Sequence, residues 1–267
     1  IENQFDEPFS LDDVACASGV SRYHLIRAFG KATNISVMQY VKRRRLTEAA
    51  KSLASSDQDI ISVAITAGYQ SHEAFTRAFR SEFGLQPSRV RNCGGLSKLS
   101  LLEPIMVDLG RNTPDNPEIE NISSFVIHGL QGRFDAQSRA KIPSLWKTLT
   151  QSLEHRDAAF GTVSYGASMN YDETGAFDYL CGLAEPVRTY AFTNSKSARI
   201  PSGLYAKFLH TGHISSIRES WNAIYNKWLP HSDYTVANSP EFECYSEDFN
   251  PITGTGNVSI HLPVRRS

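Results

Sequence analysis

The sequence predicts a multidomain chain: an all-α tandem helix-turn-helix domain, then an α+β domain of duplicated β-α-β-β units sharing an antiparallel sheet. Three observations predict it. Residues 11–34 and 60–84 are two copies of one helical pattern. Residues 36–55 between them contain neither Pro nor Gly. Beyond residue 117, alternating apolar runs interleave with two stretches of helical spacing. At 267 residues the chain is long enough for two ordinary cores.

The first copy, LDDVACASGVSRYHLIRAFGKATN (11–34), aligns with IISVAITAGYQSHEAFTRAFRSEFG (60–84). Val14-Ala15 matches Val63-Ala64 and Gly19 matches Gly68; past the glycine one extra residue enters, so Ser21 matches Ser71 and Arg27-Ala28-Phe29 matches Arg77-Ala78-Phe79. Ala15 and Ala64 are small enough for the next helix to cross closely. Gly19 and Gly68 can take the positive φ that ends a helix. Ser21 and Ser71 are suited to cap the helix that follows. Leu25 with Phe29, and Phe75 with Phe79, make an apolar stripe four residues apart. The outer face is left to Arg22, Tyr23 and Arg27 in one copy, and to His72, Glu73, Thr76, Arg77 and Arg80 in the other. Such a face suits a major groove. A plain helical hairpin is the alternative for either copy alone; the duplication favours the groove-reading unit.

Residues 36–55 predict one long connecting helix of strong helix formers. From it Lys42, Arg43, Arg44 and Arg45 either reach phosphates or form a solvated basic face. Residues 21–91 hold 12 basic against 5 acidic residues, in a chain of formal net charge -1. That concentration fits a phosphate-facing surface as well as an ordinary basic one.

Gly-Gly, Ser and several Pro mark residues 93–117 as a linker with room for one short strand. The domains therefore read as 1–92, 93–117 and 118–267. In the last, 123–134 alternates like a strand, 139–156 reads as a helix with Pro143 in its first turn, and GTVSYGASMN and AFDYLCGLAE are strands joined by YDETG. The order recurs: strand 203–212, helix 215–230, strands 241–249 and 256–264, with Gly212 and Trp221 as counterparts of Gly132 and Trp146. Two such units pair into one sheet with both helices on one face and a groove expected on the other, between the halves.

The tandem copies, the connecting YVKRRRLTEAAKSL and the segment AGYQSHEAFTRAFRSEFGLQPSRVR resemble the AraC/XylS family of transcription regulators over residues 1–92. The resemblance implies two recognition helices entering successive major grooves. Tyr23 and Arg27 would face bases from the first, with Arg22 and His24 beside them; His72, Glu73, Thr76 and Arg77 would do so from the second. Glu73 could accept from cytosine, and Arg77 could serve guanine or a phosphate. Further on, IPSGLYAKFLHTGHISSIRESWNAIYNKWLPHSDY and PEFECYSEDFNPITGTGNVSIHLPV resemble the GyrI-like effector-binding domain over residues 105–265. That implies an aromatic groove for a lipophilic, often cationic, small molecule and a buried acid at Glu243, with Tyr245 on the same strand face. Phe134, Trp146, Tyr205, Trp221, Tyr225 and Trp228 are candidate walls, although Trp221, Tyr225 and Trp228 also have the spacing of ordinary helix packing. Glu185 is a second candidate acid.

Both halves together predict a ligand-responsive, non-enzymatic regulator with double-stranded DNA, a small-molecule effector and RNA polymerase as partners. The alternatives are a hydrolase acting on a small electrophile, or an architectural DNA-binding protein. No metal or cofactor motif is present. Cys16, Cys93, Cys181 and Cys244 are scattered without a CxxC pair, which fits a reducing cytoplasm. No apolar run reaches the ~18 residues of a membrane span. The chain opens at Ile1, without Met and inside a helical pattern, which implies residues upstream.

Overall fold

The computed structural model describes residues 10–93, 96, 99–105, 116–154, 162–184 and 195–267. Its helices are α1 (Leu11–Ala17), α2 (Arg22–Thr33), α3 (Val37–Ser55), α4 (Ile60–Thr66), α5 (His72–Phe83), α6 (Pro87–Cys93), α7 (Ile142–Glu154) and α8 (Ile217–Ala223). The strands are β1 (Glu118–Ile122), β2 (Phe125–Phe134), β3 (Ser164–Met169), β4 (Phe177–Ala184), β5 (Lys196–Ile200), β6 (Gly203–His210), β7 (Tyr234–Val236), β8 (Glu241–Tyr245) and β9 (Val258–Arg266). The chain divides into two compact units: Ile1–Arg22 with Ile35–Val107, and Tyr23–Asn34 with Asp108–Ser267. All of α2 except its first residue therefore belongs to the second unit.

In the first unit the helix starts are set by short polar side chains. Ser36 and Gln39 form a reciprocal capping box on α3, Asp59 accepts from the Ser62 amide on α4, and Ser71 accepts from the Ala74 amide on α5. Gly19 and Gly68 both stand at positive φ, 65° and 82°, where the repeat requires it. The core joins Leu46, Ala50 and Leu53 of α3 to Val63 and Ala64 of α4 and Phe75 and Phe79 of α5. Phe75, Phe79 and Phe83 meet in sequence, tilted and then edge-on, at 5.5 and 4.8 Å between centroids. Each fully buried ring of this kind contributes about 1.5–3 kcal/mol.

Among the described residues, the second unit is built on a nine-stranded antiparallel sheet in the order β1-β6-β9-β8-β3-β4-β2-β5, with β7 pairing β9. The predicted duplication is visible in that order. One half runs β6-β9-β8, the other β2-β4-β3, and they join where β8 pairs β3. The outer strands are exchanged: β1 precedes β2 but pairs β6, and β5 precedes β6 but pairs β2. Strands β1, β5 and β7 were not legible from the sequence pattern. Pro143 sits in the first turn of α7, as expected. The predicted helix 215–230 is in fact a 3-10 turn (Ile214–Ser216), α8, a π-helical turn (Ile224–Trp228) and a 3-10 turn (Leu229–His231).

Helix α7 covers β2 and β4 through Leu149, Leu153, Phe134 and Phe177. Helix α8 and its π turn cover β6 and β9 through Trp221, Ile224, Tyr225, Ala206 and Ile260. The opposite face of the sheet carries Ile127, Ala167, Leu180, Tyr205 and Phe242. The groove lies on the helix-bearing face, between α7 and α8, and not on the opposite face as expected. Each helix packs over its own half, so neither covers the central strands β3 and β8; Arg27 and Lys31 of α2 reach Glu241 of β8 between them.

Candidate ligand groove and DNA-facing residues

Period-2 alternation along β8 puts Glu241, Glu243 and Tyr245 on the face beneath the groove. Phe242 points the other way, into the far core. The groove has a volume of about 870 Å³ and is walled by Trp146 of α7, Trp221 of α8, Tyr171, Phe177 and Tyr179, with Glu243 and Tyr245 in its floor. Glu243 is 8% exposed. Its Oε2 accepts from the hydroxyls of Tyr179 at 3.0 Å and Tyr245 at 3.1 Å, and its Oε1 from Trp221 Nε1 at 2.8 Å. Trp146 Nε1 in turn donates to the Tyr179 hydroxyl at 3.0 Å. Gly166 of β3 stands opposite Glu243 in register. A Cβ there would lie 2.0 Å from the Tyr179 hydroxyl and 3.0 Å from Glu243 Oε2, so only glycine leaves room for this bond.

A second carboxylate, Glu241, lies on the same face and is fully buried. It accepts from Tyr171 at 2.8 Å and Tyr225 at 2.6 Å, and it pairs with Lys31 Nζ at 2.9 Å and Arg27 Nη1 at 3.5 Å. Burial pushes its carboxyl upward, but the charges of Lys31 and Arg27 outweigh that and bring it down to about 2. Burial, and then the adjacent carboxylates, hold the hydroxyls of Tyr171, Tyr179, Tyr225 and Tyr245 well above their ordinary range. All four stay protonated and donate. Sequence reasoning missed Glu241, although its signal was present: it precedes Glu243 by two positions and so shares its strand face.

Of the expected groove residues, Glu243, Tyr245, Trp146 and Trp221 come together. Tyr205 does not. Along β6 it alternates with Ala206 and Phe208, which lie under α8, so its ring packs on the opposite face against Phe242 at 5.6 Å. Phe134 lies beneath α7, edge-on to Tyr179 at 6.4 Å, one layer behind the wall. Tyr225 serves Glu241, while Trp228 packs on Phe208 and Tyr234. Glu185 falls outside the described residues.

The residues expected at DNA divide the same way. His72, Glu73, Arg77 and Arg80 are exposed on α5, and Thr76 is half-buried beside them. Arg22, half-buried, pairs with Asp12 at 3.2 Å. Arg43, half-buried, pairs with Glu82 at 2.6 Å, and the guanidinium of Arg45 lies over Gly68. Arg44 is not free to reach phosphates: it is 3% exposed, donating to the Leu102 carbonyl and to Glu48, both at 2.9 Å. Three consecutive arginines on a helix point about 100° apart, so one of them faces inward.

In the second unit Tyr23, His24 and Arg27 of α2 also depart from the expected outward face. Arg27 is 0% exposed; it donates to the Ser239 carbonyl at 3.2 Å and to the Tyr23 hydroxyl, with its guanidinium over the rings of Tyr23 and Tyr171. His24 is half-buried beside Tyr225, and burial lowers its imidazole below its ordinary range. Lys31, one turn after Arg27, holds its ammonium 3.6 Å from the centroid of Trp221. Among the described residues no group of His, Cys, Asp and Glu could hold a metal ion, and no helix is long and apolar enough to cross a membrane.

The family model of the GyrI-like small molecule binding domain matches residues 115–265, more than half of the chain. The chain belongs to the GyrI-like family. A helix-turn-helix domain model matches residues 14–92. The transcriptional regulator Rob of Salmonella typhimurium is 24% identical over 282 residues, spanning 100% of this chain and 96% of that protein. The right origin-binding protein of Escherichia coli K12 is 23% identical over 279 residues with the same coverage. The HTH-type transcriptional activator AarP of Providencia stuartii is 36% identical over 105 residues, 39% of this chain and 78% of that protein. The chain is thus an AraC-type DNA-binding transcriptional regulator carrying a GyrI-like small-molecule-binding domain.

Proposed function

We propose that the groove takes a lipophilic organic cation, whose charge is matched by Glu243 and whose body lies between Trp146 and Trp221. One observation carries this reading. Glu243 is a nearly buried carboxylate whose hydrogen-bond partners, Tyr179, Tyr245 and Trp221, are all neutral donors. That carboxylate stands in the floor of an aromatic groove of about 870 Å³. A desolvated cation over such rings gains about 2 kcal/mol per good contact before its ion pair is counted.

Sequence reading by DNA contact falls in this proposal to the exposed face of α5: His72, Glu73 and Arg77, with Arg80 toward phosphate. The groove binds its ligand and releases it unchanged, and the regulatory names of the similar proteins support binding over turnover. A thermal-shift titration with rhodamine 6G tests the groove. Near 100 times its dissociation constant, a ligand adds about 2.7 kcal/mol to the native state, which raises Tm by roughly 5–10 °C in a domain of this size. Wild type should show that rise, and Glu243→Gln and Trp221→Ala should show little of it. Equal rises in all three would remove Glu243 from the site. Steady turnover of an ester or isothiocyanate would instead favour the hydrolase.

A further inference from the structure

The groove already contains a cation of the chain's own. Lys31 of α2 places its ammonium 3.6 Å from the Trp221 centroid, and it pairs with Glu241 at 2.9 Å. Trp221 is the same ring that donates to Glu243. One turn earlier Arg27 is sealed beneath it, against Glu241, Tyr171 and the Ser239 carbonyl. An ammonium on an indole face, within the field of a buried carboxylate, is the arrangement by which an organic cation would be held.

We infer that Lys31 is a built-in competitor for the effector site, so that docking of α2 in the groove excludes both the effector cation and the use of α2 on DNA. The inference rests on the groove reading proposed above and adds what the groove does when empty. Two points support it. First, the docked helix is held by ions in addition to the apolar packing of Tyr23 and Ala28. Burial depresses the Lys31 ammonium even though Glu241 pulls it the other way. Buried ion pairs of this kind return little net stability, and replacing them with apolar groups of similar size is often neutral or favourable. They do make docking depend on charge, and a competing cation can therefore undo it. Second, the side chains that the duplicated motif assigns to DNA, Tyr23 and Arg27, are the ones that docking encloses. A helix cannot offer them to a base while they bond Ser239 and Glu241.

A cation entering between Trp146 and Trp221 must displace Lys31 from the ring. Loss of that contact weakens the hold on α2, and by reciprocity DNA that engages α2 must raise affinity for the cation. The effector is then an activator of DNA binding.

The test compares the wild-type chain with Lys31→Met, Lys31→Arg and Glu241→Gln in two assays. One is gel-shift titration of a duplex selected from random sequence by the wild-type protein, without and with rhodamine 6G. The other is equilibrium dialysis of the dye alone. Without dye, Lys31→Met should bind the duplex about tenfold tighter than wild type, within the usual span of coupling factors. Simple loss of a positive charge would weaken DNA binding, so the sign decides. Lys31→Arg should stay within about twofold of wild type because it keeps the cation. Glu241→Gln, if folded by its melting curve, should follow Lys31→Met. Dye should tighten the duplex affinity of wild type about tenfold and that of Lys31→Met much less, while Lys31→Met binds the dye more tightly. Unchanged or weaker DNA binding by Lys31→Met overturns the competition. Failure of the dye to bind wild type or Lys31→Met overturns the cation reading of the groove instead, and the dye-free DNA comparison still decides whether α2 is held back.

Discussion

Gly166 is the residue on which the groove floor turns, because its missing Cβ is the space filled by the Tyr179–Glu243 hydrogen bond. Gly166→Ala should fold, since β3 pairs on both sides, yet lose dye binding by at least about tenfold as the hydroxyl is driven off the carboxylate; dialysis against wild type checks it. Arg44 makes the opposite case. It was read as a phosphate ligand, but its guanidinium is buried and satisfied by Leu102 and Glu48. Arg44→Met should therefore cost about 1–3 kcal/mol in urea unfolding and leave the salt dependence of DNA binding unchanged. Glu73→Ala should do the reverse, relaxing preference at one base position in a selected duplex without lowering stability. Residue positions were legible where one face of an element is exposed, as on α5. They were misread where charge was taken as a sign of exposure, as with Arg27 and Arg44.

At the scale of elements, the duplicated helical unit was legible because its signals are local: Gly68 at positive φ, Ser71 at the helix start, Phe75 and Phe79 four apart. The β-α-β-β repeat was legible for the same reason. The exchange of β1 and β5 was not, since a five-residue strand such as KSARI carries no mark of its partner, and pairing is decided by the whole sheet. The groove was placed on the wrong face because strands such as β4 and β8 are buried on both sides, so alternation there does not say which side carries the helices. The central strands also predict acid sensitivity. His261 of β9 stacks on Phe242 at 4.4 Å beside Lys207, with Glu120 and Ser259 also near its ring; burial, then the Lys207 charge, push its imidazole down to about 3. The folded value lies below the ordinary 6.5, so the unfolded chain takes up the proton first. Stability therefore falls as pH drops from about 6.5 toward 3. Glu241 adds a loss at lower pH, between its ordinary 4.5 and about 2. Urea midpoints should decrease from pH 7 to pH 4, and His261→Gln should flatten that decline; an unaltered slope would contradict the assignment.

Over the whole molecule, the proposed function divides the work between an exposed helix face on α5 and a charged aromatic groove in the sheet domain. The groove claim is the one from which ligand response follows, and a direct titration tests it. Calorimetric titration of rhodamine 6G into the full chain should give one site per chain in wild type and an affinity lower by at least about tenfold in Glu243→Gln, the loss of one desolvated charge contact. Equal affinity in the two proteins, or no saturable site in wild type, would contradict the account.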